Sequence, residues 1–409
     1  MQKSKNIMPK GIGRWVLCLF GLSVATVSLG EESEQFAAQL QAVESHSPHI
    51  AALKARMEAQ QIDAGRANVL ADPEIEFEYC WGDPSEIGKT KVFGVSQSFD
   101  FPTTYLHRRN VSRQAKRNAA LQYQADRQDL LLQAQQLCVE MVYYNASIEI
   151  LNRRLESQQI LLQGAERSLQ EGEMTLLDYN HIEADRLMCE SDLAHLKAER
   201  EAVAQELVAL NGGHALSVTD TQYTDPAHLP AIDFDSWWQE VSAQSPMLQY
   251  VAGEVERAKQ EVRVARSGWG PQWSVGYVSE YEKDEIKRGF SVGLSIPLWS
   301  NRGKVKQAKA ELAVAENEAF DQKLRFMSRL RSLFDRAQSE MRSVRLLREM
   351  MEKQNTLQLL AKAYEAGQLS QQDYQSELIA YYELQQRLIE DERDLRVTLA
   401  ELTATVRFR

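Results

Sequence analysis

The chain has 409 residues and a net charge of −11, with 26% charged and only 8% aromatic residues. That acidic balance argues against a nucleic-acid partner, which would require a basic face. Few aromatics together with abundant glutamine, glutamate and arginine suit long helices better than a compact α/β enzyme.

Residues 1–30 read as a signal peptide. Lys3, Lys5, Lys10 and Arg14 form its positive start, and Trp15 to Ala25 form an apolar stretch too short to span a bilayer. Ser28 and Gly30 supply small residues for a cut before Glu31. Cys18 follows the bulky Leu17, which argues against a lipoprotein processing site. Cys80, Cys138 and Cys189 remain after the cut; their odd number and wide spacing make neither a disulfide framework nor a paired metal motif. No later apolar run approaches eighteen residues, so a membrane-embedded part would have to be built from β-strands.

The remainder is one unit written twice, with an offset just under 200 residues: a first repeat over 31–213 and a second over 214–409. Ser47-Pro48 recurs as Ser245-Pro246, Pro73 as Pro271, and Gln114-Ala115-Lys116 as Gln307-Ala308-Lys309. Gly172-x-x-Thr175-x-x-Asp178-Tyr179 recurs as Gly367-x-x-Ser370-x-x-Asp373-Tyr374. The unit reads helix, strand pair, very long helix, turn, long helix.

Its first helix is expected to start at Ser47-Pro48, a serine cap before a proline at the first helical position, and to run to about Asn68. The second copy runs from Ser245 to about Arg266. Two strand pairs follow. In Glu74 to Trp81 one face is Ile75, Phe77, Tyr79 and Trp81, and the other is Glu74, Glu76, Glu78 and Cys80. Phe93 to Phe99 alternates apolar against small or polar residues. The second copy repeats this with Trp273, Val275, Tyr277 and Tyr281, then Phe290, Val292, Leu294, Ile296 and Leu298, with Ser291, Gly293 and Ser295 on the opposite face. Strict period two means two different environments. Apolar-out and polar-in is how a membrane barrel strand reads, although an ordinary half-exposed sheet shows the same alternation.

From Leu130 a heptad seam runs through Ala134, Leu137, Met141, Tyr144, Ile148, Leu151, Leu155, Leu162, Ala165 and Leu169, with Gln158 off pattern. No proline lies between Pro102 and Pro226, so a single helix is expected from about Tyr105 to Glu171, roughly 100 Å long at 1.5 Å per residue. Cys189, Leu193, Leu196, Val203, Leu207 and Leu210 form its partner seam, and the second copy carries a less regular one. Residues 212–244 read as a loop with a short amphipathic helix joining the copies.

Four strands cannot close a barrel, and open sheet edges in lipid cost several kcal/mol per unpaired backbone group. The strand pairs must therefore be completed by other chains. A homotrimer would supply a 12-stranded transmembrane β-barrel on a tube of coiled-coil helices, making the fold class mainly α with a membrane barrel.

The duplicated plan, the Ser-Pro helix starts, Leu294-Ser295-Ile296-Pro297-Leu298 before the second long helix and the Gly-x-x-(Ser/Thr)-x-x-Asp turns resemble the TolC-like outer-membrane factors over nearly all of residues 34–408. Ala71-Asp72-Pro73-Glu74 and Gly94-Val95-Ser96-Gln97 are most similar to the cobalt–zinc–cadmium branch. The resemblance implies an exit duct in the outer membrane that extends into the periplasm and is no enzyme. It implies a homotrimer in outer-membrane lipid, joined to a periplasmic adaptor (membrane fusion) protein and an inner-membrane pump. An RND-type pump for heavy-metal cations is the first expectation, with drug efflux or type I protein secretion as alternatives. A periplasmic coiled-coil adaptor is the third; it would carry β-rich lipoyl-like segments around one hairpin instead of two matching strand pairs.

The resemblance also places the two turns at the periplasmic tip, where the family narrows its channel. Asp373 matches an aspartate position lining the closed entrance, with Asp178 as its first-repeat counterpart. Gly172, Thr175, Tyr179, Gly367, Ser370 and Tyr374 are then candidate adaptor contacts. Relatives can carry a second aspartate three residues later; Ser376 and His181 stand there, a departure from a double acidic ring. The plainer reading of both motifs is hairpin chemistry, with a glycine at the helix end and a capping box on the return helix. His46 and His49 flank Ser47-Pro48 without completing a metal set, and Glu74, Glu76 and Glu78 would favour cations if they faced a lumen. No cofactor site or catalytic constellation stands out.

Overall fold

The computed structural model describes residues 35–66, 68–82, 88–223, 229, 233–282, 285–353 and 356–407, so the signal-peptide expectation lies outside the described residues. The first repeat contains α1 (Ala37–His46), α2 (Pro48–Arg66), β1 (Glu74–Trp81), β2 (Lys89–Phe99), α3 (Pro102–Glu171) and α4 (Leu176–Leu210). The second contains α5 (Phe234–Gln244), α6 (Pro246–Ser267), β3 (Gln272–Glu282), β4 (Glu285–Ser295), α7 (Lys304–Lys353), α8 (Thr356–Glu365) and α9 (Gln371–Arg407). One difference from the sequence reading stands out: a short helix, α1, precedes Ser47-Pro48 and mirrors α5.

The two Ser-Pro starts also differ. Ser245 Oγ accepts from Leu248 N at 3.4 Å, the expected cap, with Pro246 in the first turn. Ser47 Oγ is buried and has no hydrogen-bond partner among the described residues, so it does not cap α2. The structure offers no physical account of that difference.

Helix α3 has 70 residues, which at 1.5 Å per residue is about 105 Å. Nothing in its interior interrupts it: Pro102 sits in its first turn, and Gly172 ends it in a left-handed conformation. Of the expected seam, Leu130, Ala134, Met141, Leu151 and Ala165 are buried, and Leu137, Tyr144, Ile148, Leu155, Leu162 and Leu169 are half-buried. Leu151 packs with Cys189 and Leu193 of α4, and Ala165 and Leu161 pack with Ile182. Gln158, off the apolar pattern, is nonetheless buried. The matching cluster in the second repeat joins Ala337 and Val344 of α7 to Leu395 and Leu399 of α9. Each such leucine leaving water contributes about 2 kcal/mol, so the seams carry much of the rod's stability. The repeats join where α9 packs on α3, with Ile150 against Leu378 and Tyr382. The connecting segment lies across the first repeat: Tyr223 donates to Val139 O at 2.9 Å, and Asn145 donates to Val218 O and Asp220 O at 3.0 Å.

The sheet is antiparallel in the order β1-β2-β3-β4. Its two hairpins are the local strand pairs, and the β2–β3 ladder joins the repeats from Thr90↔Glu282 to Phe99↔Trp273. The helices beneath pack in the same lateral order, α2 on α3, α3 on α6 and α6 on α7. Each strand pair therefore leaves the helical wall and returns to it between neighbouring helices.

Candidate functional site

Two ends of the molecule concentrate unusual side chains: the sheet and, roughly 100 Å away along α3, the two helix turns.

In the sheet, register decides which residues share a face, because side chains alternate with period two. The pairings Phe77↔Phe93, Val95↔Tyr277 and Tyr277↔Phe290 put all four strands' large apolar residues on one side. Ile75, Trp81, Trp273, Val275, Val292 and Leu294 lie on that same side. The pairings Glu76↔Gly94, Ser96↔Gly276 and Gly276↔Ser291 put glutamate, serine and glycine on the other. A soluble sheet would bury its apolar side against a second layer. Here that side is open: Phe290 is 87% exposed, Val292 71% and Phe77 67%. β1 and β4 each pair on one edge only, so their outer edges are free to pair with further strands. Lys89, Lys91 and Arg288 lie on the apolar side near the strand ends remote from the helices, with Lys91 Nζ 5.9 Å from the Tyr79 ring centroid. At the helical end the exposed aromatics are Phe101, Trp269, Trp273 and Trp299. Aromatics at both rims of an apolar band match the two interfaces of a bilayer. Cys80 lies on the glutamate side and is exposed. No helix among the described residues is long and apolar enough to cross a membrane.

At the turns, both repeats build the same hairpin. Gly172 has φ 76° and Gly367 φ 69°, values that suit glycine at a helix end. Thr175 Oγ1 accepts from Asp178 N at 3.2 Å and donates to Asp178 Oδ2 at 2.7 Å. Ser370 Oγ accepts from Asp373 N at 3.1 Å and donates to Asp373 Oδ2 at 2.7 Å. Both aspartates therefore serve their own turn, as the capping reading requires. They differ in the second oxygen. Asp178 Oδ1 accepts from Gln372 of the other repeat at 3.2 Å, whereas Asp373 is exposed and its Oδ1 has no partner among the described residues. Gln375 reinforces the cross-repeat link by donating to Asp185 Oδ2 at 2.5 Å. Tyr179 and Tyr374 pack into the cluster of Leu161, Ala165 and Ile182, and Tyr374 stacks on Tyr364 at 4.6 Å. Burial raises the Tyr374 hydroxyl above its ordinary pKa, which keeps it a neutral packing group.

The residues that sequence reasoning missed are Leu176 and Leu177. They stand directly after the Thr175 cap and are 62% and 78% exposed. A leucine pair in the first turn of a helix, where a tight hairpin cannot fold over it, was the available signal. The second repeat has Gln371 and Gln372 at those positions. His46 meets His214 instead of His49, with ring centroids 5.0 Å apart, and its Nδ1 lies 3.3 Å from Asn211 Oδ1. No group of three or more His, Cys, Asp or Glu among the described residues could hold a metal.

A duplicated chain with a four-stranded sheet, open on its apolar side and set on helices this long, has the fold of outer-membrane efflux channels. Residues 237–406 match the family described as outer membrane efflux protein. CusC, solved in crystals that follow folding and transmembrane channel formation, superposes with TM-score 0.76 at 15% identity, covering 91% of this chain and 92% of that one. The outer-membrane channel OprN gives 0.76 at 15% identity over 91% and 89%. The open-state outer membrane channel MtrE of Neisseria gonorrhoeae gives 0.73 at 13% identity over 91% and 88%. No curated protein matches the chain in sequence.

Proposed function

We propose that this chain is the outer-membrane exit duct of a bacterial efflux system and catalyses no reaction. The observation that carries the reading is the register-aligned sheet, whose apolar side is largely exposed and whose outer edges are free. Lipid is the solvent in which such a side is stable, and closure with neighbouring copies is how lipid-embedded edges are satisfied. Three copies would close 12 strands into a barrel and bring the helical walls into a continuous tube. The polar side, with Glu76, Ser96 and Ser291, then lines the bore. The turns of Gly172 and Gly367 become the periplasmic entrance, where a periplasmic adaptor docks and Asp373 gathers around the axis. An inner-membrane pump of the RND type carrying heavy-metal cations is the partner that the branch resemblance favours.

Arginine at Phe77, Tyr79, Phe93, Tyr277 or Phe290 tests the face assignment. Each should lower outer-membrane yield, at a cost of roughly 2–4 kcal/mol per site at mid-bilayer depth, while arginine at Ser96 or Ser295 should be tolerated better. Equal damage at both sets, or a stable water-soluble monomer after gentle extraction, would overturn the reading. In membranes, exposed Cys80 should react with a water-soluble maleimide. Cys138 should not, since burial raises its thiol pKa to about 12. Sensitivity of a deletion strain to cobalt, zinc and cadmium, compared with sensitivity to drugs, decides the cargo.

A further inference from the structure

Where the helices meet the sheet, the charge of the chain reverses. The sequence carries no carboxylate between Asp100 and Asp126 and none between Glu285 and Glu311, in a protein whose net charge is −11. These two stretches occupy matching places in the two repeats, and they hold matching cations: Arg109, Arg113 and Lys116 in the first, Arg302, Lys306 and Lys309 in the second. Each set is spaced by four and then three residues. Arg109, Arg113 and Lys116 thereby form a stripe along one face of α3, whereas Lys306 and Lys309 lie on α7 and Arg302 stands in the turn before it, ahead of Gly303 at φ 88°. Lys259, Arg263 and Arg266 repeat that spacing on α6, between the other two helices. All nine side chains are exposed, and none forms an ion pair with a described residue.

Helix electrostatics account for only part of this. Arg266 ends α6, where a cation favours the helix dipole. Arg109, Arg113 and Lys116 stand two or more turns into α3, beyond the reach of its dipole, while Lys306 stands in the first turn of α7, the end that favours anions; neither first turn contains an acid. Self-repulsion among like charges adds a further cost, so an external anion is the economical explanation of the pattern. The direction in which the stripes face comes from what lies at their ends. Leu106, Trp269 and Trp299 stand one turn closer to the sheet than Arg109, Arg266 and Arg302, and they are 60%, 49% and 78% exposed. An exposed apolar or aromatic side chain followed by cations is the order met on leaving a bilayer through its headgroups.

We infer that these three stripes form a cationic collar that binds anionic phospholipid headgroups of the leaflet on the helical side of the sheet. The inference rests on the membrane reading of the sheet proposed above. Its function is to set the depth at which the duct sits and to resist axial displacement. The tryptophans fix the hydrocarbon edge, and the collar holds the phosphate layer.

The test uses the full-length protein reconstituted in vesicles of phosphatidylcholine with or without phosphatidylglycerol, followed by gentle extraction and native mass spectrometry of retained lipid. Each cation near an anionic surface gives roughly a fivefold gain in partitioning. Wild type should therefore retain phosphatidylglycerol at least tenfold over phosphatidylcholine, and the preference should fall as salt rises. Replacing all nine of these cations by glutamine should abolish the preference, and the variant Arg109→Gln/Arg113→Gln/Arg302→Gln/Lys306→Gln should lower it several-fold, whereas replacing the three arginines of that variant by lysine should keep it. Equal retention of both lipids by wild type overturns the collar even if the neutral variant fails to assemble. So does a neutral variant that keeps the preference, or one whose main change is in the anion-to-cation permeability ratio, which would put the stripes in the bore. A protein that integrates into both vesicles without lipid preference refutes the collar and leaves the membrane reading standing; failure to integrate into either refutes both.

Discussion

The two hairpins at the far end of the helices are copies of one design that have come to differ. Each uses a left-handed glycine, a hydroxyl cap and an aspartate three residues on. The first hairpin exposes Leu176 and Leu177 and has both oxygens of Asp178 engaged. The second shows Gln371 and Gln372 at the matching positions and leaves one oxygen of Asp373 without a partner among the described residues. Duplication fixed the turn, because backbone geometry tolerates few alternatives there. It left the outward-facing residues free to differ: the first hairpin exposes apolar surface, and the second exposes charge.

The largest expected effect breaks that division directly. Leu176→Asp/Leu177→Asp should weaken binding of the proposed adaptor by tenfold or more, since burying each leucine in a contact contributes roughly 1.5–3 kcal/mol. Gln371→Asp, which leaves the Gln372–Asp178 link in place, should change it by less than about threefold, because no apolar side chain is removed. Surface plasmon resonance with the adaptor on both variants decides, and equal losses would end the idea that one hairpin leads.

The aspartates come next. If Asp373 from three chains meets near the axis at about 6–8 Å, each pair repels by roughly 2–3 kcal/mol at an effective dielectric of 20. Divalent cations should then bind there. Asp373→Asn should weaken divalent block in planar bilayers, and Asp178→Asn should do so less, because its carboxylate is already held by Thr175 and Gln372. Identical block in wild type and Asp373→Asn would leave that residue as a cap alone.

Smaller effects concern stability, where the hairpins should behave alike. Thr175→Ala and Ser370→Ala each remove a cap and should cost about 1 kcal/mol. A difference above about that size between the two, read from thermal unfolding, would show that the cross-repeat glutamine bonds add to the first turn. The smallest effect lies along α3. Burial raises the carboxyl pKa of Asp129 and of Glu140, against the pull of Arg329 and Arg393 respectively. An acid whose folded pKa exceeds its unfolded value contributes stability that is present below the unfolded pKa and lost as pH rises through the folded one. Acidifying from neutrality towards the ordinary carboxylate range should therefore relieve a small strain, and Glu140→Gln should flatten that slope in thermal midpoints.

Legibility in the sequence tracked the range of the forces involved. β1 is legible to its bounds because strict alternation between lipid-compatible and polar side chains is a local signal, and α3 is legible from a heptad that only Gln158 interrupts. β4 stops at Ser295, short of Ile296 and Leu298, because apolar alternation continues past the last ladder bond. Helix α1 escaped notice: its burial of Leu40 and Val43 depends on α3, far along the chain. The capping roles of Thr175 and Ser370 followed from spacing, whereas Gln372 on Asp178 and Gln375 on Asp185 join residues some 190 apart and leave no local trace. Leu176 and Leu177 leave a local trace, an apolar pair next to a capping hydroxyl, but only the hairpin's geometry shows that nothing covers them.

The β2–β3 ladder has a consequence for how the molecule forms. β1 with β2 and β3 with β4 are hairpins that close over short loops, within microseconds for such elements. Joining Val95 to Tyr277 must wait until α3 and α4 have been synthesised and folded back along each other. Contacts so distant in sequence are entropically late, which makes this ladder the slow step of the single chain. Until it zips, the protein carries two small amphipathic hairpins in place of one wide apolar sheet, a state better suited to crossing an aqueous compartment than the finished one.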